Sequence, residues 1–169
     1  MENSLKITGA PSLEELHRSP AYPPEDRLKK GPIAIIECIE EIPCNPCEAS
    51  CPSGAITIGD SITNLPRMDF EKCIACGMCI PACPGLAIYI KDYNYSDTKA
   101  LLSFPYEYYP LPKVNDIVQA VDRNGNILCT AKVLKVRNLK SNDHTAVITI
   151  EYPKEFFEEA VNIKLVKST

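Results

Sequence analysis

Apolar residues along this chain fall into short runs bounded by proline, glycine and polar clusters. Ile33-Ala34-Ile35-Ile36, the Ala-Ile-Thr-Ile run at 55–58 and the Ala-Ile-Tyr-Ile run at 87–90 each read as a brief buried strand. Beyond position 113 the runs change character. Ile117–Val121 predicts a strand, Arg123-Asn124-Gly125-Asn126 carries the Asn-Gly signal of a hairpin, and Ile127–Arg137 predicts a long second strand. The apolar phase of that strand slips between Val133 and Leu134, which predicts a bulge or the bend of a small barrel. A third strand is expected at 146–152, a short helix at 154–161 and a last strand at 163–166. Residues 1–32 are rich in proline and offer one short helical candidate, 12–16, where Ser12 followed by Glu15 forms a capping-box pattern.

These patterns divide the chain into an extended N-terminal arm (1–32), a block of short elements (33–91), a linker (92–112) holding Tyr93, Tyr95, Tyr106, Tyr108 and Tyr109, and a β-rich segment (113–169). The arm is too poor in core-forming residues to fold alone. It is expected to lie across a partner subunit, with Leu13, Leu16 and Tyr22 as anchors. The tyrosines of the linker suit an interface, or a seal between the flanking parts. The last segment reads as a small open β-barrel of the SH3 or OB type that serves for docking.

Composition adds little until the cysteines are counted. Of 169 residues, 45% are hydrophobic and 24% charged, as in an ordinary globular protein. Eighteen basic against 22 acidic side chains give a net charge of −4, which argues against nucleic acid as the main partner. No run approaches the roughly 18 apolar residues of a membrane span, and the first residues lack the pattern of a secretory signal. The cytoplasm is therefore expected. Nine cysteines, however, are far too many for such a protein: Cys38, Cys44, Cys47, Cys51, Cys73, Cys76, Cys79, Cys83 and Cys129. An odd count with tight C-x-x-C spacing does not suit a disulfide framework. Structural zinc usually joins two ligand pairs across a dozen or more residues, whereas four cysteines here occupy eleven positions, Cys73-Ile-Ala-Cys76-Gly-Met-Cys79-Ile-Pro-Ala-Cys83, followed by Pro84. That is the C-x2-C-x2-C-x3-C-P run of iron–sulfur ligation. Three thiolates on one short loop reach three irons of a cubane. The fourth lies beyond it, expected at the start of a short helix, and must serve another cluster.

A second, partly matching block exists. Shifting the sequence by 32 residues lays Cys44, Cys47, Cys51 and Pro52 on Cys76, Cys79, Cys83 and Pro84, and the run at 55–58 on the run at 87–90. Cys73 then falls on Glu41, so the first block reads C-x5-C-x2-C-x3-C-P, starting from Cys38. Cys38 can supply the missing thiolate across a longer loop, the softer ligand for iron. Alternatively, Glu41 ligates through oxygen or the site holds three irons, or this first cluster is absent. Pro43 and Pro46 stiffen the loop in between.

Over roughly 33–91 the chain resembles the bacterial-type two-cluster [4Fe–4S] ferredoxins. The resemblance implies an α+β fold with a pseudo-symmetric ferredoxin module, Ile33–Ile36 as first strand, the run at 55–58 as its hairpin partner, and the run at 87–90 closing the second half. It implies that Cys73, Cys76, Cys79 and Cys51 hold one cluster and that Cys44, Cys47, Cys83 and, by the reasoning above, Cys38 hold the other. The string from Glu37 to Glu48, ECIEEIPCNPCE, is also similar to the ferredoxin-like subunits of multi-subunit flavin-dependent amino-acid dehydrogenases of anaerobes, of the proline and hydroxyproline type. That likeness implies an electron relay in a hetero-oligomer whose FAD- or FMN-containing dehydrogenase subunits carry the flavin.

No dinucleotide-binding or P-loop motif and no nucleophile–base pair stands out, so no active site of its own is expected. Two other functions compete. A free-standing ferredoxin shuttle would need neither arm nor barrel. A structural or nucleic-acid-binding module stapled by clusters would leave them redox-silent. Cys129, in phase with Ala131 and Val133, reads as a small buried hydrophobe, and His17 and His144 as surface residues.

Overall fold

The computed structural model describes residues 4–165. Its short apolar runs pair as two antiparallel ladders. β1 (Ile33–Ile36) pairs with β4 (Ile88–Asp92), and β2 (Ile56–Thr57) pairs with β3 (Arg67–Met68). The expected hairpin between β1 and the run at 55–58 is therefore not formed. Strand partners join edge to edge through main-chain hydrogen bonds, and the five-residue β4 offers β1 a four-pair ladder that the two-residue β2 cannot. Strand β3 has one apolar residue and carries no strand signal of its own, although the 32-residue shift lays Arg67-Met68 on Ile35-Ile36. Between the strands stand two one-turn helices, α4 (Pro46–Ala49) and α5 (Cys79–Ala82). Pro46 opens α4 at a position where its missing N–H costs nothing.

The rest of the chain extends the β1–β4 ladder. β5 (Lys99–Tyr106), β6 (Ile117–Val121), β7 (Ile127–Arg137), β8 (Ala146–Pro153) and β9 (Asn162–Ile163) join it in one seven-stranded antiparallel sheet, ordered β1-β4-β5-β8-β7-β6-β9. Two expectations are corrected here. The tyrosine-rich segment holds an eight-residue strand rather than a linker, because Ala100, Leu102, Phe104 and Tyr106 alternate inward along it. And the small open barrel expected at 113–169 does not stand apart: β8 hydrogen-bonds to β5 and β5 to β4, so the ladder runs on into the first part of the chain, and the described strands close no barrel.

Other details agree with the sequence pattern. The register of β7 on β8 slips between Val133 and Lys135, placing a bulge where the apolar phase changed. The β6–β7 turn places Gly125 at a φ of +81°, and the Asp122 carboxylate accepts the amide protons of Asn124 (2.9 Å) and Asn126 (2.8 Å). The helix expected at 154–161 shrinks to a 3₁₀ turn, Lys154–Phe156, and β9 opens at Asn162. Val166, placed in the last expected strand, lies outside the described residues.

The N-terminal arm is not extended over an outside surface. It holds α1 (Ser4–Thr8), α2 (Leu13–His17) and α3 (Glu25–Leu28), and α2 opens with the expected capping box: Ser12 Oγ accepts from the Glu15 amide (3.2 Å) and Glu15 Oε2 from the Ser12 amide (2.7 Å). Leu16, Ala21, Tyr22 and Leu28 are buried in the same cluster as β1, and Leu13 packs against it. The proposed partner anchors thus serve the chain's own core. His17 Nε2 meets Glu158 Oε1 at 2.9 Å, Arg27 Nε donates to the carbonyl of Phe70 at 3.1 Å, and the Asn94 side-chain amide donates to the carbonyl of Lys29, so polar contacts also tie the arm down. Among the described residues, no helix is long and apolar enough to cross a membrane.

Side chains on β1 and β4 alternate between two faces. The pairs Ala34–Ile90 and Ile36–Ile88 share one face; Ile33–Lys91 and Ile35–Tyr89 share the other. On the second side Lys91 is buried and Nζ donates to the carbonyls of Phe157 (2.7 Å) and Glu158 (3.1 Å). Next to it Arg123 holds Glu37 through two hydrogen bonds, Nε to Oε2 at 2.8 Å and Nη2 to Oε1 at 2.5 Å, with both side chains at most 10% exposed.

Candidate metal centres

The first face of that ladder floors two cavities. Ala34 and Ile90 lie in a cavity also lined by Cys51, Cys73, Cys76 and Cys79. Ile36 and Ile88 lie in a cavity also lined by Cys38, Cys44, Cys47 and Cys83. The two floors are adjacent same-face rungs of one ladder, roughly 7 Å apart along the strand. Eight of the nine cysteines are thus sorted into two sets of four, each mixing thiols from both sequence blocks. All nine are free thiols, and Cys129 stands apart, half-buried on β7.

Local structure explains the sorting. In the second block the loop 73–78 carries Cys73 and Cys76, with Ala75 (φ +50°) and Gly77 (φ +75°) both in the left-handed region. Gly77 is buried and makes a close approach that a side chain would obstruct: a Cβ there would stand 3.0 Å from Arg137 Nη2 and 3.6 Å from the Ile80 side chain. α5 begins at Cys79 and ends with Cys83 as its extended C-cap. The fourth cysteine therefore follows a helix instead of opening one. The turn of α5 carries it away from the other three, and Pro84 stops the helix from continuing. Cys51 likewise follows α4, one residue past its C-cap, Ser50. Of the two candidates for the irregular position in the first block, Cys38 lines the cavity, whereas Glu41 is exposed and does not; Glu40 is the carboxylate at its rim.

The thiols differ in acidity. Burial, with the neighbouring Cys76 and Cys73, pushes Cys79 up to about 12, and burial together with Cys83 pushes Cys47 up to about 11. Burial also raises Cys38. At Cys51 the upward push of burial is outweighed by donors, the Ser53 hydroxyl and the amides of Ile56, Ala55 and Ser53, so its pKa falls below that of a free thiol. The Ala55 amide sits 3.2 Å from Cys51 Sγ. A metal that occupies either cavity must displace protons from Cys47 or Cys79, so loading releases protons and favours higher pH.

Four soft donors around one cavity suit iron–sulfur chemistry. Among the described residues, no three Cys, His, Asp or Glu side chains converge as a single bound ion requires. A cubane differs in that each thiolate binds a separate iron. The pairing of Arg123 with Glu37, 86 residues apart, and the seat of Arg137 on Gly77 have no signal in the sequence, since both depend on how the C-terminal strands fold back.

Comparison with known proteins bears on the same segment. Residues 37–87 match the 4Fe-4S dicluster domain, so the chain carries a ferredoxin-type dicluster domain. It is similar to an uncharacterized ferredoxin of Methanocaldococcus jannaschii, 44% identical over 71 residues, or 40% of this chain and 42% of that one. It is also similar to one component of the ion-translocating oxidoreductase complex of Methanosarcina acetivorans, 44% identical over 50 residues (30% of this chain, 18% of the relative). A component of the Na(+)-translocating ferredoxin:NAD(+) oxidoreductase complex of Acetobacterium woodii is 53% identical over 38 residues (22% and 11%). The chain spans less than half the length of each of these relatives. No solved structure matches it.

Proposed function

We propose that this chain is an electron-relay subunit that holds two [4Fe–4S] clusters, one through Cys73, Cys76, Cys79 and Cys51 and the other through Cys38, Cys44, Cys47 and Cys83. The observation that carries this reading is the pair of four-cysteine cavities on adjacent rungs of the β1–β4 ladder. When bound, two such clusters exchange single electrons with partner sites. The chain's own residues do the rest. The cross-strand pairs Ala34–Ile90 and Ile36–Ile88, with Ile56 and Ile58, keep water from the inner side of each cavity. The Ala55 amide and the Ser53 hydroxyl hold negative charge on Cys51. Relatives that are subunits of oxidoreductase complexes support a place in a larger assembly. Within that reading, the likeness of the Glu37–Glu48 string favours FAD- or FMN-containing amino-acid dehydrogenase subunits as partners.

Iron content tests the ligand sets. The chain purified without oxygen is expected to hold about eight irons, Cys38→Ser to lose up to half of them, and Glu41→Gln to keep them all. If Glu41→Gln halves the iron while Cys38→Ser leaves it intact, the first ligand set is wrong. Copurification from native cells tests the assembly: stoichiometric flavoprotein subunits are expected, and a loaded chain with no companion would favour a diffusible shuttle.

A further inference from the structure

The two cavities sit in different electrostatic surroundings. Around Cys38, Cys44, Cys47 and Cys83 the charge is acidic: Glu40 lines the cavity, Glu41 lies beside it in sequence, and Glu48, on α4 next to Cys47, accepts the Ile58 amide at 3.1 Å. Glu37 is neutralised there by Arg123. The cavity of Cys51, Cys73, Cys76 and Cys79 has no charged residue in its lining. A charge that does approach it is the guanidinium of Arg137, at the end of β7, seated 3.0 Å from where a Cβ on the cavity-lining Gly77 would stand. Gly77 is the residue after Cys76. Arg137 is half-buried and has no ion pair among the described residues, so its charge is not cancelled locally. Lys72 and Asp69, before Cys73, are paired with each other at 3.0 Å, and the Glu71 between them is exposed to screening solvent.

From this we infer that Arg137, supplied by the C-terminal strands, is a positioning residue for electron transfer: it raises the reduction potential of the cluster held by Cys51, Cys73, Cys76 and Cys79 above that of its neighbour and so makes this end the electron sink of the pair. The reasoning is elementary. Reduction adds one negative charge to a cluster; a nearby cation favours the reduced form and nearby carboxylates disfavour it. The exposed tip of the same loop, Cys76 with Ile74 at 67% and Met78 at 55% exposure, gives that end a solvent-facing edge from which an electron can leave. The glycine matters too: a Cβ at position 77 would stand 3.0 Å from Arg137 Nη2, so the guanidinium would have to give by a few tenths of an ångström.

This rests on the two-cluster reading, and the experiment keeps the two apart. The full chain, loaded with iron, is titrated stepwise with reductant and followed by electron paramagnetic resonance, alongside Arg137→Gln, Arg137→Met and Arg137→Lys. The higher-potential wave is expected to be the one that Cys76→Ser also alters. In Arg137→Gln and Arg137→Met its ratio of reduced to oxidised cluster at a fixed solution potential should fall about tenfold, while Arg137→Lys stays near the parent. Iron content should be unchanged in all three. Two unmoved waves in fully loaded Arg137→Gln and Arg137→Met would overturn the role of Arg137 and leave the two clusters standing. A parent chain that holds only one cluster would instead overturn the reading beneath it. The bracketing variants separate loss of charge from loss of packing, since methionine removes the charge and lysine keeps it.

Discussion

Lys91 is among the largest fully buried side chains of the molecule, and burial pulls its pKa down to about 7 against the upward influence of Glu37. Its amine faces Phe157 O and Glu158 O, with the Phe157 ring 5.5 Å away and Arg123, Glu37, Glu158 and Glu159 as surrounding charges. A lysine in the unfolded chain titrates near 10.4. Between these values the unfolded chain binds one more proton than the folded one, so this group makes stability rise with pH from about 7 upward, and below pH 7 the folded state carries the full cost of a buried ammonium. Lys91→Met removes that dependence. Both carbonyls keep a donor, since Tyr152 Oη also reaches Phe157 O (3.3 Å) and Arg123 Nη2 reaches Glu158 O (3.0 Å). In urea denaturation without oxygen, the parent is expected to gain on Lys91→Met by about 3 kcal/mol between pH 7 and 9.5. The difference between variants cancels the titration of the cysteines and tyrosines. An unchanged difference across that range would show that the amine stays charged in the fold.

At the scale of the element, the arm and strand β1 depend on each other. β1 stands at an edge of the sheet, yet Ile33, Ile35 and Ile36 are fully buried, and Leu16 of α2 is buried in the same cluster. Three short helices of four or five residues could not persist alone, because each has too few hydrogen bonds to offset nucleation. Their stability comes from the core. Leu16→Ala is therefore expected to destabilise the whole chain by about 2–5 kcal/mol, as in other buried leucine deletions. A loss below about 0.5 kcal/mol in a denaturant titration would mean that the arm unfolds separately.

At the scale of the molecule, one sheet joins the floor of the two cysteine-lined cavities to the C-terminal strands. β4 takes hydrogen bonds from β1 on one side and β5 on the other. Deleting residues 1–32 removes the cover from the face that carries Ile33 and Ile35 and exposes an edge strand apolar on both faces, the arrangement that pairs with other copies. The truncated chain is expected to form oligomers or precipitate under light-scattering chromatography. A stable, fully loaded monomer would assign the arm a role other than covering β1.

What the sequence determined by itself was the chemistry. Cysteine spacing within ten residues is a local property, and thiol softness does not depend on the fold, so the donor type and the doubled block could be read directly. The capping box at Ser12, the Asn-Gly turn at 124–125 and the bulge after Val133 were legible for the same reason, since each depends on a few neighbouring residues. The pairing of strands was not legible. Runs of two to five apolar residues carry too little pattern to choose partners, so the hairpin assigned to β1, the linker that became β5 and the barrel that became an open sheet were all decided by contacts between distant segments. The placement of Leu16 and Tyr22 in the chain's own core, the Arg123–Glu37 pair and the approach of Arg137 to Gly77 are of the same kind. They join positions from 11 to 86 residues apart, and only the closing of the sheet brings them within reach.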